Sequence, residues 1–159
     1  MMAKRFRWGI FLLLILITLG GGTAIGMLTD PATAYGEFIQ PPLSPPNWVF
    51  PVAWSILYLL MALAATLVVG SNASGEAKRN ALLWYGVNLL LNFSWTPVFF
   101  GLKQPLVAFV ILLLLIMVTV IVLVSFYKIR PAAGYLLLPY LAWLIFAGYL
   151  NFGIYLLNR

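Results

Sequence analysis

Apolar runs of roughly helical length, parted by short polar stretches, recur from one end of this chain to the other. The first, 8–28, is an uncharged span of 21 residues behind a basic start with Lys4, Arg5 and Arg7. About 20 apolar residues cross the hydrocarbon core as a helix. The span therefore predicts a first transmembrane helix. The pattern predicts four more, at about 48–70, 81–100, 106–127 and 135–157. Between them lie a long loop over 29–47, the polar turn SNASGEAKRN, a turn holding Lys103, and a break at Lys128, Arg130 and Pro131. The expectation is an all-α integral membrane protein, one domain over 1–159 folded as a five-transmembrane-helix bundle.

Two stretches qualify this reading. A basic start, an apolar core and Ala32-Thr33-Ala34 also resemble a secretory signal peptide. The apolar run is long for one, and the rest of the chain is equally apolar, so retention is expected. In 40–58, Pro41, Pro42, Pro45 and Pro46 lack backbone donors and disfavour helix in the residues before them. This segment should be extended and stiff, with Asn47 as N-cap and Pro51 in the first turn of the second helix. It delivers Trp48 and Trp54 to the membrane boundary.

Composition agrees: 64% of the 159 residues are hydrophobic and 8% charged, with a mean hydropathy of +1.06. Soluble domains are about one quarter charged. The net charge of +6 is divided among short loops and forms no single patch, so a nucleic-acid partner is not expected. With five spans, seven basic residues fall on the N-terminal face (Lys4, Arg5, Arg7, Lys78, Arg79, Lys128, Arg130) and two, Lys103 and Arg159, on the other. In a bacterial plasma membrane the positive-inside rule then places the N-terminus in the cytoplasm and the proline-rich loop outside. An outer membrane is the alternative.

Histidine and cysteine are both absent. That removes the usual metal and haem ligands, the usual general base and any disulfide. The predicted spans contain no ionisable residue of the kind that builds proton relays or ion-coupled transport. Their interiors carry stripes instead. Trp54 and Tyr58 share a face of the second helix, with Met61, Ala62 and Ala65 continuing it. Trp84, Asn88 and Asn92 recur every four residues in the third, extended by Trp95 and Thr96. Trp143, Ala147, Asn151 and Tyr155 do so in the fifth, with Tyr140 one turn before. Each residue has a plainer reading as interfacial belt or interhelical glue. Together they suggest a cavity for a flat, largely apolar ligand held by stacking and indole donors. Gly22 and Gly26 form a GxxxG pair for close helix approach, either within the bundle or across a dimer.

Three blocks, PPNWVFPVAWSILYLLMALA, NLLLNFSWTPVFFGLKQP and LLLPYLAWLIFAGYLNFGIYLLN, resemble the tryptophan-rich sensory protein/translocator protein family, also called peripheral-type benzodiazepine receptors. The resemblance covers about residues 35–158. It implies a five-helix membrane protein, commonly a homodimer, that binds porphyrins such as protoporphyrin IX and benzodiazepine or isoquinoline carboxamide drugs. It also implies a pocket closed by the first long loop and lined by the second, third and fifth helices. Carried over by position, Tyr35 would cover the ligand and Trp54 and Trp143 would supply paired indole donors. Tyr58, Asn92, Trp95, Thr96, Ala147 and Leu150 would line the rest. The chain departs from the family at Leu43, where many relatives have tryptophan, and at Tyr58, where some have phenylalanine and the hydroxyl adds a donor. Leu150, Tyr155 and Arg159 fit the family's permissive sterol pattern, and read first as an interfacial anchor.

Three functions are compatible with these residues. The first is a porphyrin-binding sensor or carrier tied to tetrapyrrole and stress regulation, with no cofactor and with ligand propionates near Lys103 or Arg159. The second is light- and oxygen-dependent degradation of protoporphyrin, in which oxidisable Trp54 and Trp143 would be the catalytic pair. The third is transport of a porphyrin, sterol or lipid, for which no coupling-ion site or internal repeat is visible.

Overall fold

The computed structural model describes residues 6–159, so Lys4 and Arg5 of the charge argument lie outside the described residues. Regular structure among the described residues is entirely helical. Six helices are distinguished here: α1 (Trp8–Thr29), α2 (Pro31–Gly36), α3 (Val49–Val69), α4 (Gly75–Thr96), α5 (Pro105–Ile129) and α6 (Pro131–Leu157). Of these, α1, α3, α5 and α6 are long and apolar enough to cross a membrane. The chain is an integral membrane protein.

Helix α4 falls short of that standard because Asn80, Asn88, Asn92 and the charged residues of its first turns dilute its apolar content. Its start lies six residues before the expected 81. Ser74 caps it, its hydroxyl accepting from the Ala77 N–H at 3.2 Å, and Glu76 sits in the first turn, where the helix dipole favours an anion. At its other end Pro97 widens the helix into a π turn over Pro97–Gly101, closed by the Leu102 N–H donating to the Pro97 carbonyl at 2.8 Å.

Proline also sets the boundaries of α5 and α6. Both start with proline at the first helical position, where its fixed φ suits the helix and its missing donor is not needed. Arg130, the residue before Pro131, is forced out of helix to φ −153° and ψ 110°, which separates the two. Within α6, a turn at Leu136 and Leu137 precedes Pro139, after which the helix resumes.

The loop expected over 29–47 contains the short helix α2 ahead of its proline-rich stretch, which is non-helical. Asp30 adopts a left-handed conformation (φ 40°) and Pro31 then starts the new helix. Asn47 does not cap α3. Its side-chain amide donates to the Ala32 carbonyl at 3.2 Å, tying the end of the loop to α2, and Trp48 holds the cap position.

In the bundle, α5 packs along both α4 and α6, and α3 packs against α1 and the start of α6. Met61, Ala65 and Val68 of α3 meet Tyr85 and Leu89 of α4, Leu112, Leu115 and Phe126 of α5, and Tyr140 and Leu144 of α6. A second cluster joins Ala34 and Tyr35 of α2 to Phe99, Phe100, Ala108 and Ile154, and seats α2 against the ends of α4, α5 and α6. Outward, α5 exposes Val110, Leu113, Met117 and Val124, and α1 exposes Trp8, Leu12 and Leu16. Such a surface is costly in water and not in lipid, which is as apolar as leucine.

Candidate ligand-binding cavity

Helix α1 leaves the ideal α-helix for one π turn, Leu16–Gly20, and this positions the wall of the site. The buried Thr18 hydroxyl there contacts the Leu14 carbonyl at 2.9 Å and the Tyr58 carbonyl at 3.3 Å, docking α1 on α3. One turn on, Gly22 lies so close to Tyr58 that a Cβ there would overlap its ring, and Gly21 lies against Phe93. Gly26 faces open space instead.

That space is a cavity of about 430 Å³, a size typical of small-molecule sites. Gly22, Thr23, Gly26 and Met27 of α1 form one wall. Phe50, Trp54 and Tyr58 of α3 form another, Trp95, Thr96 and Phe100 a third, and α2 with Tyr35 closes the loop side. Among the described residues no charged side chain lines it. Its aromatic walls are braced by further rings: Tyr35 sits edge-on to Phe50 at 4.9 Å, Trp54 lies 5.3 Å from Tyr58, and Trp95 stacks on Phe99 at 5.0 Å.

The polar groups around the cavity differ in availability. Tyr35 is 4% exposed and its hydroxyl has no hydrogen-bond partner among the described residues. Burial raises its pKa above the usual tyrosine value, and the Ser44 hydroxyl, which donates to the Pro41 carbonyl at 2.8 Å, opposes this from close by without meeting hydrogen-bond geometry to the phenol. The phenol is therefore a neutral donor throughout the physiological range. Trp54 also lines the cavity. In contrast, the Trp95 indole N–H donates to Asn151 Oδ1 at 3.0 Å, and Asn151 Nδ2 donates to the Pro105 carbonyl at 2.7 Å. Trp95 offers the cavity its ring.

Of the residues singled out from sequence, Tyr35, Trp54, Tyr58, Trp95 and Thr96 meet around this one cavity. Asn92 is buried directly behind it, bonded to the Tyr58 hydroxyl at 2.8 Å. Trp143 stands elsewhere, on a shallow groove between α3 and α6 with Ala53, Ile56, Leu57 and Pro139, and reaches the cavity wall through Phe50, 6.0 Å away. Ala147 packs on the main core and Leu150 is buried, neither of them on the cavity wall. Tyr155 and Arg159 lie at the end of α6, with Tyr155 partly buried and Arg159 exposed. The α1 wall was not anticipated as lining. Its signal was the Gly22/Gly26 pair, where Gly22 admits Tyr58 and Gly26 leaves room.

A lid of this kind must be held down, and the loop is strapped at several points. Asn158 forms a two-way clamp with Ile39, accepting from its N–H and donating to its carbonyl, both at 2.9 Å. Tyr149 donates to the Pro42 carbonyl at 2.7 Å, Lys103 pairs with Glu37, and Gly153 gives Pro41 room to pack on α6.

The TspO/MBR family model matches residues 13–157. The chain is 37% identical over 151 residues to a tryptophan-rich sensory protein of Cereibacter sphaeroides, covering 95% of this chain and 92% of that one. It is 36% identical over 135 residues to protein CrtK of Rhodobacter capsulatus, covering 85% and 84%. It is 36% identical over 122 residues to the human translocator protein, covering 76% and 72%. With the family match spanning nearly the whole bundle, the chain belongs to the TspO/MBR family.

Proposed function

We propose that this protein is a membrane sensor or receptor that holds a porphyrin-like tetrapyrrole, or a benzodiazepine- or isoquinoline-type ligand, in the cavity under α2. The supporting observation is the cavity itself: about 430 Å³, walled by Phe50, Trp54, Tyr58, Trp95 and Phe100, and, among the described residues, free of charged side chains and capped by a tyrosine hydroxyl with no hydrogen-bond partner. Flat aromatic ligands gain most from such walls through stacking. A ligand carbonyl or carboxylate at the mouth would accept from Tyr35 and Trp54. With no histidine or cysteine in the chain, a metal-free porphyrin is held without axial ligation. In this reading α4 is the fifth span, α1 starts on the cytoplasmic face of a bacterial plasma membrane, and the protein is a homodimer in lipid.

Dark titration with protoporphyrin IX, read by tryptophan quenching, tests the reading. Saturable binding that weakens severalfold in Trp54→Phe supports it, and weak non-saturating quenching that is unchanged in Trp54→Phe and Trp143→Phe refutes it. Degradation of the porphyrin is a second reading, favoured by oxidisable rings in sequence: Trp54 lies 5.3 Å from Tyr58 and 6.3 Å from Tyr140. It requires a new product spectrum under light and oxygen that disappears in Trp54→Phe.

A further inference from the structure

Behind the cavity, side chains from four helices form one continuous hydrogen-bond chain. Tyr58 Oη donates to Asn92 Oδ1 (2.8 Å), Asn92 Nδ2 to Tyr140 Oη (2.9 Å), Tyr140 Oη to Asn88 Oδ1 (3.1 Å), and Asn88 Nδ2 to Thr119 Oγ1 (2.7 Å). The last link runs from Thr119 Oγ1 to the Leu115 carbonyl at 2.7 Å. Asn88, Asn92, Thr119 and Tyr140 are each at least 97% buried, at 1%, 3%, 0% and 1% exposure, so bulk solvent does not reach them.

The polarity of this chain is fixed at its far end. A backbone carbonyl can only accept, so the single Thr119 hydrogen must point at Leu115. The Thr119 oxygen must then accept from the Asn88 amide, which turns the Asn88 oxygen toward Tyr140. The Tyr140 hydrogen goes to that oxygen, so the Tyr140 oxygen accepts from Asn92. The Asn92 oxygen is left to accept from Tyr58. Reversing any link would face two donors or two acceptors toward each other.

Tyr58 lines the cavity, and its hydroxyl stands beside Gly22, another lining residue. Its hydrogen is directed away from the cavity, toward Asn92. We infer that the deep end of the cavity is an acceptor site, and that Tyr58 selects flat apolar ligands carrying an N–H or O–H donor on their leading edge. The family resemblance suggested that the Tyr58 hydroxyl adds a donor, and the chain gives it the opposite sense. Thr119, on α5 and away from the cavity wall, is a positioning residue that sets this sense. The inference rests on the proposed reading of the cavity as the ligand site.

The test compares carbazole, flat with a single edge N–H, with N-methylcarbazole, in the full-length protein in lipid nanodiscs. Each is titrated by its own fluorescence and competed with protoporphyrin IX. A neutral hydrogen bond is worth up to about tenfold in affinity, so carbazole is expected to bind roughly five- to tenfold more tightly than its N-methyl analogue. In Tyr58→Phe the ratio should fall to the value set by methyl bulk alone. Thr119→Val should lower the ratio as well, and Thr119→Ser, which restores the hydroxyl, should bring it back. A purely structural role for Thr119 would change both affinities together and leave the ratio fixed.

Equal binding of the two compounds, or a preference undiminished in Tyr58→Phe, overturns the inference while leaving the cavity reading intact. A Tyr58-dependent preference that protoporphyrin does not compete away supports the acceptor site and counts against the tetrapyrrole reading. Failure of both compounds to bind overturns the inference, and it overturns the cavity reading too only where protoporphyrin IX also fails to bind saturably.

Discussion

Two buried tyrosine hydroxyls, Tyr35 and Tyr85, lack partners among the described residues, and the contrast between them is informative. A buried hydroxyl without a partner costs about 1–3 kcal/mol. Tyr35→Phe and Tyr85→Phe should therefore each raise the thermal midpoint of the unliganded protein. Only Tyr35 borders the cavity, so only Tyr35→Phe should also weaken ligand binding, severalfold. Equal effects of the two variants on binding would show that the Tyr35 hydroxyl is idle. The pH dependence follows from its raised pKa: lid stability declines once pH passes the unfolded value of about 10, whereas the neutral donor, and binding with it, is kept until the higher native value is passed. An acid whose native pKa is raised loses stability on the alkaline side, so no decline is expected at acid pH from this group. The amide residues show how much of the site could be read from sequence. Asn88 and Asn92, four apart, were legible as an inward stripe because lipid leaves an amide few alternatives. Tyr140 was legible on the stripe of the last helix, but its pairing with them was not, nor was Thr119, because spacing within one helix does not say which neighbouring helix it faces.

At the scale of elements, the loop and the α6 terminus work as lid and strap. Gly153 fits against Pro41 because it has no side chain, and a Cβ there would lie 2.7 Å from Pro41 Cβ. Gly153→Val should lift the loop from α6, and Asn158→Ala should remove both bonds of the Ile39 clamp. Both variants are expected to speed ligand association and dissociation several-fold, with faster amide exchange over 37–40 and little change in the bundle core. Unchanged exchange would mean the loop is held from elsewhere. The Lys103–Glu37 pair adds little, because both side chains are 52% exposed and such pairs contribute about 0–1 kcal/mol. High salt should therefore leave the lid in place. The apolar runs marked the long helices to within a few residues, except where a cap or proline moved an end, as Ser74 does for α4. Helix α2 escaped notice because its structure depends on the left-handed Asp30 and on packing of Tyr35 against Phe50 and Phe99's cluster, which composition does not record.

Across the whole molecule, α1 is the helix whose role differs most from expectation. The family pattern drew attention to the second, third and fifth apolar runs, yet the cavity is enclosed by α1, α3 and α4, while Trp143 of α6 lies on the other side of α3. The measurement that tests this arrangement most directly uses Gly26. A Cβ at Gly26 meets nothing within 4 Å, and Gly26 lines the cavity. Replacing glycine within a helix should also favour the helix by about 0.8–1 kcal/mol. Gly26→Leu is thus expected to fold with an equal or higher thermal midpoint while its side chain fills part of the cavity. Dark titration with protoporphyrin IX should then show affinity reduced at least about tenfold relative to wild type, the scale of a lost set of stacking contacts. Unchanged affinity in a well-folded Gly26→Leu protein would contradict the assignment of this cavity as the binding site.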